Sequence, residues 1–151
     1  MSESSFELPR LLERMHRRFL DVLRAELNRL SVDDLNSVQA FLLLDIGDEE
    51  TSVQELVNRG YYVHSNALYN IKKLVEAGYF EQSRSPNDRR AVRVKLTKKA
   101  REICDKIRGQ MKALDNAINR SDESPAEMDV AYRALRRLER AWDEYLRYGK
   151  L

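Results

Sequence analysis

The sequence predicts a mainly α-helical chain interrupted once by a small β-hairpin. Three observations carry that expectation. Apolar residues recur at steps of three and four in several long segments, the repeat of helices with one buried face. Only five Gly and three Pro punctuate 151 residues, so those segments run uninterrupted. One stretch breaks the helical period: Val92-Arg93-Val94-Lys95-Leu96 alternates apolar and basic side chains, the period of two of a strand with one wet face.

In chain order, residues 7–28 read as a long amphipathic helix with Leu8, Leu11, Leu12, Met15, Phe19, Val22, Leu23 and Leu27 on one side. Pro9 is tolerable there only near the first turn. The opposite face carries Arg10, Arg14, Arg17, Arg18 and Arg24, which reads as a solvated face. Ser31-Val-Asp-Asp34 suggests an N-cap, opening a second helix through Leu35, Val38, Phe41, Leu42 and Ile46. Residues 45–50 form an acidic loop. Ser52 followed by Glu55 is a capping box for a short helix ending near Gly60. A turn at 61–63 leads to a helix over residues 65–77. Short helix, turn and second helix together make a helix-turn-helix pattern.

Gly78 sits where a helix C′ glycine belongs, and strand-like runs follow at 79–83 and 92–96. Between them, Ser85-Pro-Asn-Asp88 favours a turn. Thr97 is placed to cap a long helix to about residue 119, with Ile103, Ile107, Met111, Leu114 and Ile118 on its apolar side. Ser124, Pro125 and Glu127 start a last helix, striped by Met128, Tyr132, Leu135, Leu138, Trp142 and Tyr145.

Charge locates the candidate site. Residues 84–101 hold eight cations against the single anion Asp88, a local net charge of +7. The whole chain carries +2, so everything outside this segment sums to −5. A basic projection on an acidic body suggests a polyanion partner at that place. A helix-turn-helix followed at once by a basic hairpin is a winged helix-turn-helix, expected over residues 31–97. Residues 1–30 and 98–151 are expected to form a flanking helical region whose apolar stripes exceed what the central domain can cover, so they pack on each other or, as a dimerisation region, on a second copy.

At these residues the sequence resembles the MarR family of bacterial winged-helix transcription regulators. That family's wing reads aspartate-any-arginine, then alternating apolar residues, then leucine-threonine opening a helix. Here those positions are Asp88-Arg89-Arg90, Val92-Arg93-Val94 and Leu96-Thr97, preceded by Leu74 and Gly78. One departure is visible: Ser85 stands before the wing proline, where the family often has aspartate. The resemblance implies that Arg90 enters the minor groove, that Arg89 lies at a variable position and that Asp88 orients the arginine. It further implies a homodimer interlocked through the first, fifth and sixth helices, and a function of the repressing kind. It also implies a small aromatic effector pocket among the first, second and fifth helices, with Met15, Phe19, Phe41 and Cys104 as walls. The same four residues serve equally well as core.

At 100° per residue, the 65–77 helix turns Ala67, Leu68, Ile71, Leu74 and Val75 inward. Ser65, Asn66, Tyr69 and Lys73 face outward, flanked by Asn70 and Lys72. Such side chains suit a major groove: Asn pairs with adenine, and Lys meets phosphate or guanine. Any surface helix shows polar residues outward; beside a basic wing the DNA reading is preferred. The expected DNA contacts are Ser65, Asn66, Tyr69, Asn70 and Lys73 on the helix and Arg84, Arg89, Arg90 and Arg93 on the wing.

Several chemistries find no support. One Cys and two His offer no zinc-ligand spacing, and there is no glycine-rich phosphate motif. No cofactor and no enzymatic role are expected. His64 reads as a solvated turn residue before a pH sensor, and Cys104 as a small core hydrophobe. Peroxide-sensing relatives keep a reactive cysteine near the first helix, where this chain has none. The first ten residues lack a secretory pattern, and the longest purely apolar run is only 40–44. A cytoplasmic protein is expected. The rival readings are an architectural DNA-binding protein of low specificity and a helical protein-interaction module that binds no DNA.

Overall fold

A computed structural model describes residues 4–58, 64–88, 91–118 and 125–149. The element order is α1 (Ser4–Arg29), α2 (Ser37–Ile46), β1 (Thr51–Ser52), α3 (Val53–Asn58), α4 (His64–Glu76), β2 (Phe80–Arg84), β3 (Val92–Leu96), α5 (Lys98–Ile118) and α6 (Pro125–Tyr148). Two compact units divide the chain within α5, residues 1–108 and 109–151.

The first unit is a winged helix-turn-helix body. Leu23 and Leu27 of α1, Leu42 and Leu43 of α2, Leu56 of α3 and Leu74 of α4 are all buried. Ala100, Cys104 and Ile107 of α5 join that core. The run at 40–44 explains why α2 is apolar nearly all round: it is the central helix. Val38 is the exception, lying outward although its spacing placed it inward. Pro9 sits in the second turn of α1 rather than its first, because α1 begins at Ser4.

The start of α2 differs from the expectation. Ser31 does not cap it. Ser31 has φ +55° and closes α1, with its N–H on Asn28 O at 3.0 Å and the Val32 N–H on Leu27 O at 2.9 Å. The cap is Asn36, whose Oδ1 accepts from the Gln39 N–H at 2.8 Å while Gln39 Oε1 accepts from the Asn36 N–H at 3.1 Å.

The sheet has three strands in the order β1-β3-β2, all antiparallel. β1 was not expected; at two residues it carries no period. It pairs Thr51 with Val94 and Ser52 with Arg93. Val94 and Leu96 are buried and Lys95 is exposed, as the alternation required.

The join between α4 and the wing is a Schellman closure. The Tyr79 N–H bonds Leu74 O at 2.8 Å and the Gly78 N–H bonds Val75 O at 3.1 Å. Gly78 has φ +79°. Thr97 caps α5 through its Oγ1 on the Ala100 N–H at 3.3 Å, and its hydroxyl also donates to Gly78 O at 2.8 Å.

The second unit holds the end of α5 and α6. Its large apolar side chains are open in the single chain: Ile118 is 53% exposed, Met128 61%, Tyr132 65% and Leu146 82%.

An added Cβ at Gly78 would meet nothing within 4 Å, so only the positive φ disfavours a side chain there. Gly78→Ala is therefore expected to destabilise the fold by about 1 kcal/mol, read by urea unfolding. An unchanged midpoint would show that the turn tolerates a side chain.

Candidate nucleic-acid interface

The helix-turn-helix is fixed at its first helix by the expected capping box. The Glu55 N–H reaches Ser52 Oγ at 3.1 Å, and the Ser52 N–H reaches Glu55 Oε2 at 2.8 Å. The Ser52 backbone bond, first, and then the Thr51 hydroxyl hold the Glu55 carboxyl below its ordinary range. The turn at 61–63 lies outside the described residues.

On α4, Ala67, Ile71 and Leu74 are buried, as the helical period requires, and Val75 is half-buried. Leu68 is not: it is 44% exposed and lies on the wall of a cleft rather than in the core. Ser65 belongs to the first turn. Asn66, Lys72 and Lys73 are exposed, and Tyr69 is 61% exposed. Lys73 Nζ lies 5.8 Å from the Tyr69 ring centroid and 3.6 Å from Glu76. The Asn70 side-chain amide donates to the Asn66 carbonyl at 2.9 Å.

The wing tip turns with the Ser85 N–H on Ala91 O and the Ala91 N–H on Asp88 O, both at 3.0 Å. Ser85 Oγ accepts from the Asn87 N–H at 3.4 Å, so the serine supplies the brace inside the turn. Arg84 and Asp88 are exposed at the tip. Arg89 and Arg90 lie outside the described residues.

Asp88 is the single anion of the segment in sequence, but the fold brings others to it. Arg93 Nε is 3.1 Å from Glu50, Lys95 3.1 Å from Glu81, Lys99 3.5 Å from Asp34 and Lys98 3.9 Å from Glu102. Arg93, expected among the DNA contacts, is turned onto the acidic loop. Ser83 Oγ donates to the same Glu50 carboxylate. The Ser83 hydroxyl first, and the Arg93 guanidinium after it, hold Glu50 below the usual carboxylate range.

The residues matched by the winged helix DNA-binding domain model are 35–100. Over 144 residues the chain is 41% identical to the exopolysaccharide II synthesis transcriptional activator ExpG of Rhizobium meliloti, covering 95% of this chain and 74% of that protein. The chain belongs to the MarR family of winged helix-turn-helix transcriptional regulators. Solved structures share the fold. A MarR regulator from Methanosarcina mazei superposes with a TM-score of 0.73 at 17% identity, covering 90% of this chain and 96% of that one. A mutant Escherichia coli MarR bound to operator DNA gives 0.71 at 21% identity, over 89% and 95% of the two chains. Streptococcus pneumoniae FabT bound to DNA gives 0.69 at 24%, over 91% and 98%.

The residues expected to wall a MarR effector pocket are distributed unevenly. Phe19 and Phe41 meet edge to face, centroids 5.2 Å apart. Met15 is 55% exposed. Cys104 is buried, and burial pushes its thiol up to about 11, so it stays protonated and inert at neutral pH. A separate cleft of about 530 Å³ lies between α4 and the wing strands, lined by Val53, Leu68, Ile71, Val75 and Val92. Among the described residues, no cluster of His, Cys, Asp or Glu could hold a metal, and no helix is long and apolar enough to cross a membrane.

Two groups at the wing root escaped sequence reasoning. Tyr79 is buried and its hydroxyl donates to Asp34 Oδ1 at 2.5 Å. Lys99 Nζ stands 4.2 Å from the Tyr79 ring centroid and 3.4 Å from Ala77 O. Forty-five residues separate Asp34 from Tyr79, so no local signal marks the pair. The Tyr79 bond, and then the Lys99 charge, hold the Asp34 carboxyl below its ordinary 3.8, while burial and Asp34 hold the Tyr79 phenol protonated.

A depressed carboxyl stabilises the fold above its unfolded value, and that contribution disappears as pH falls through 3.8 and below. Asp34 is half exposed, so screening keeps it to about 1 kcal/mol. Asp34→Asn is expected to lower the melting temperature at pH 7 and to shrink the loss of stability on acidification. Parallel acid limbs for the two proteins would remove Asp34 from that role.

Proposed function

We propose that this regulator is a homodimer that reads a pseudo-palindromic DNA site, with α4 in the major groove and the wing along the minor groove. The observation that carries this is the outward face of α4: Asn66, Tyr69, Lys72 and Lys73 are exposed together beside the wing strands. Asn66 is assigned to base reading, with Ser65, Tyr69, Asn70 and Lys73 around it. Arg84, Arg89 and Arg90 supply phosphate and minor-groove contacts.

The dimer is supported by exposed apolar side chains on the outer helices. Phe6 and Met15 of α1 and Tyr132, Trp142 and Tyr145 of α6 are too many and too large for a solvated surface. Two copies would place two α4 helices about one DNA turn apart. The R. meliloti relative is named an activator, which favours activation over the repression that the family resemblance suggested. An effector pocket is not part of the proposal, because Cys104 serves the core and Met15 is open.

Fluorescence anisotropy over a salt series tests this, using DNA from upstream of the protein's own gene and a scrambled duplex. Tight binding to the first alone, weakening steeply with salt, is expected. Asn66→Ala should lose roughly tenfold on the specific DNA and leave scrambled DNA unaffected. Equal binding to both duplexes would favour an architectural role, and no binding at low salt would overturn DNA recognition.

A further inference from the structure

We propose that Glu50 is a positioning residue for DNA binding, anchoring both strands of the wing to the helix-turn-helix body at one rung. The inference rests on the DNA reading of the wing. Ser83 of β2 and Arg93 of β3 are direct partners in the ladder. Both reach Glu50: Ser83 Oγ donates to Oε1, Arg93 Nε donates to Oε2 at 3.1 Å, and the other arm of the guanidinium donates to the Glu50 carbonyl at 3.2 Å. Three donors from two strands thus converge on one residue. Glu50 directly precedes β1, whose Ser52 lies opposite Arg93 on the far side of β3. Ser52 in turn is bonded to Glu55 in the first turn of α3. A short covalent path therefore links the wing anchor to the start of the helix-turn-helix. Arg93 is committed to this anchor, with its side chain only 32% exposed.

The sign of the effect separates this role from a bystander charge. A carboxylate beside a DNA-binding wing repels phosphate, so removing a bystander would tighten binding. Removing an anchor loosens the wing and weakens binding.

The test is anisotropy on the specific duplex with Glu50→Gln, which keeps the shape and loses the charge. About fivefold weaker binding is expected, the scale of a part-exposed ion pair. Arg93→Gln should weaken binding to a similar degree without changing the salt slope. Arg84→Ala, which removes a phosphate contact, should lower that slope by about 0.9. Glu50→Gln in the Arg93→Gln background should add no further loss. Ser83→Ala, a milder change to the same carboxylate, should weaken binding by a smaller factor. Tighter binding by Glu50→Gln, or an Arg93→Gln slope reduced like that of Arg84→Ala, would overturn the anchor. Absence of DNA binding by the unaltered protein would instead overturn the proposed function, and the anchor with it.

Discussion

Gly78 and Tyr79 hold together four parts of this molecule. The positive φ of Gly78 stops α4 and turns the chain into β2. The Tyr79 N–H closes the helix on Leu74, and its carbonyl accepts from the Thr97 N–H at the start of α5. Its ring is buried, and its hydroxyl ends on Asp34 in the α1–α2 loop. The direction of the wing relative to the recognition helix is set at this junction. In the proposed complex a wing that wandered by a few ångströms would lose its groove, since groove contacts are short and directional.

A second constraint is electrostatic. A DNA-binding surface needs unneutralised cations, yet a cation-rich hairpin repels itself. The fold divides the two jobs among its cations. Several meet anions supplied from elsewhere in the chain: Lys99 meets Asp34, Arg93 meets Glu50 and Lys95 meets Glu81. Arg84, farther along β2, remains exposed toward the tip. These paired cations serve the architecture, and in the proposed complex Arg84 serves the polyanion.

Features set by neighbours in sequence were legible in it. The Ser52–Glu55 box, the Thr97 cap, the Gly78 stop and the alternation in Val92–Leu96 each need only a few adjacent residues. The inner face of α4 was legible through Ala67, Ile71 and Leu74, but not at Leu68, because a helix flank can border a cleft as readily as a core. Ser31 read as a cap because its residue type suits one; its φ of +55° shows it ending α1 instead. Partners distant in the chain left no trace. Glu50 looked like part of an acidic loop, and only the fold places it against Arg93, 43 residues away. The exposed polar face of α4 was thus visible in the sequence, while the long-range contacts that hold the wing to the body were not.

Hydroxyl-radical footprinting on an operator selected from genomic fragments by the protein itself tests whether a dimer reads DNA through paired α4 helices. Two protected segments on one face of the duplex, centred about 10 base pairs apart, are predicted for a dimer that places two recognition helices in successive major grooves. A single protected segment, or uniform protection along the fragment, would contradict it.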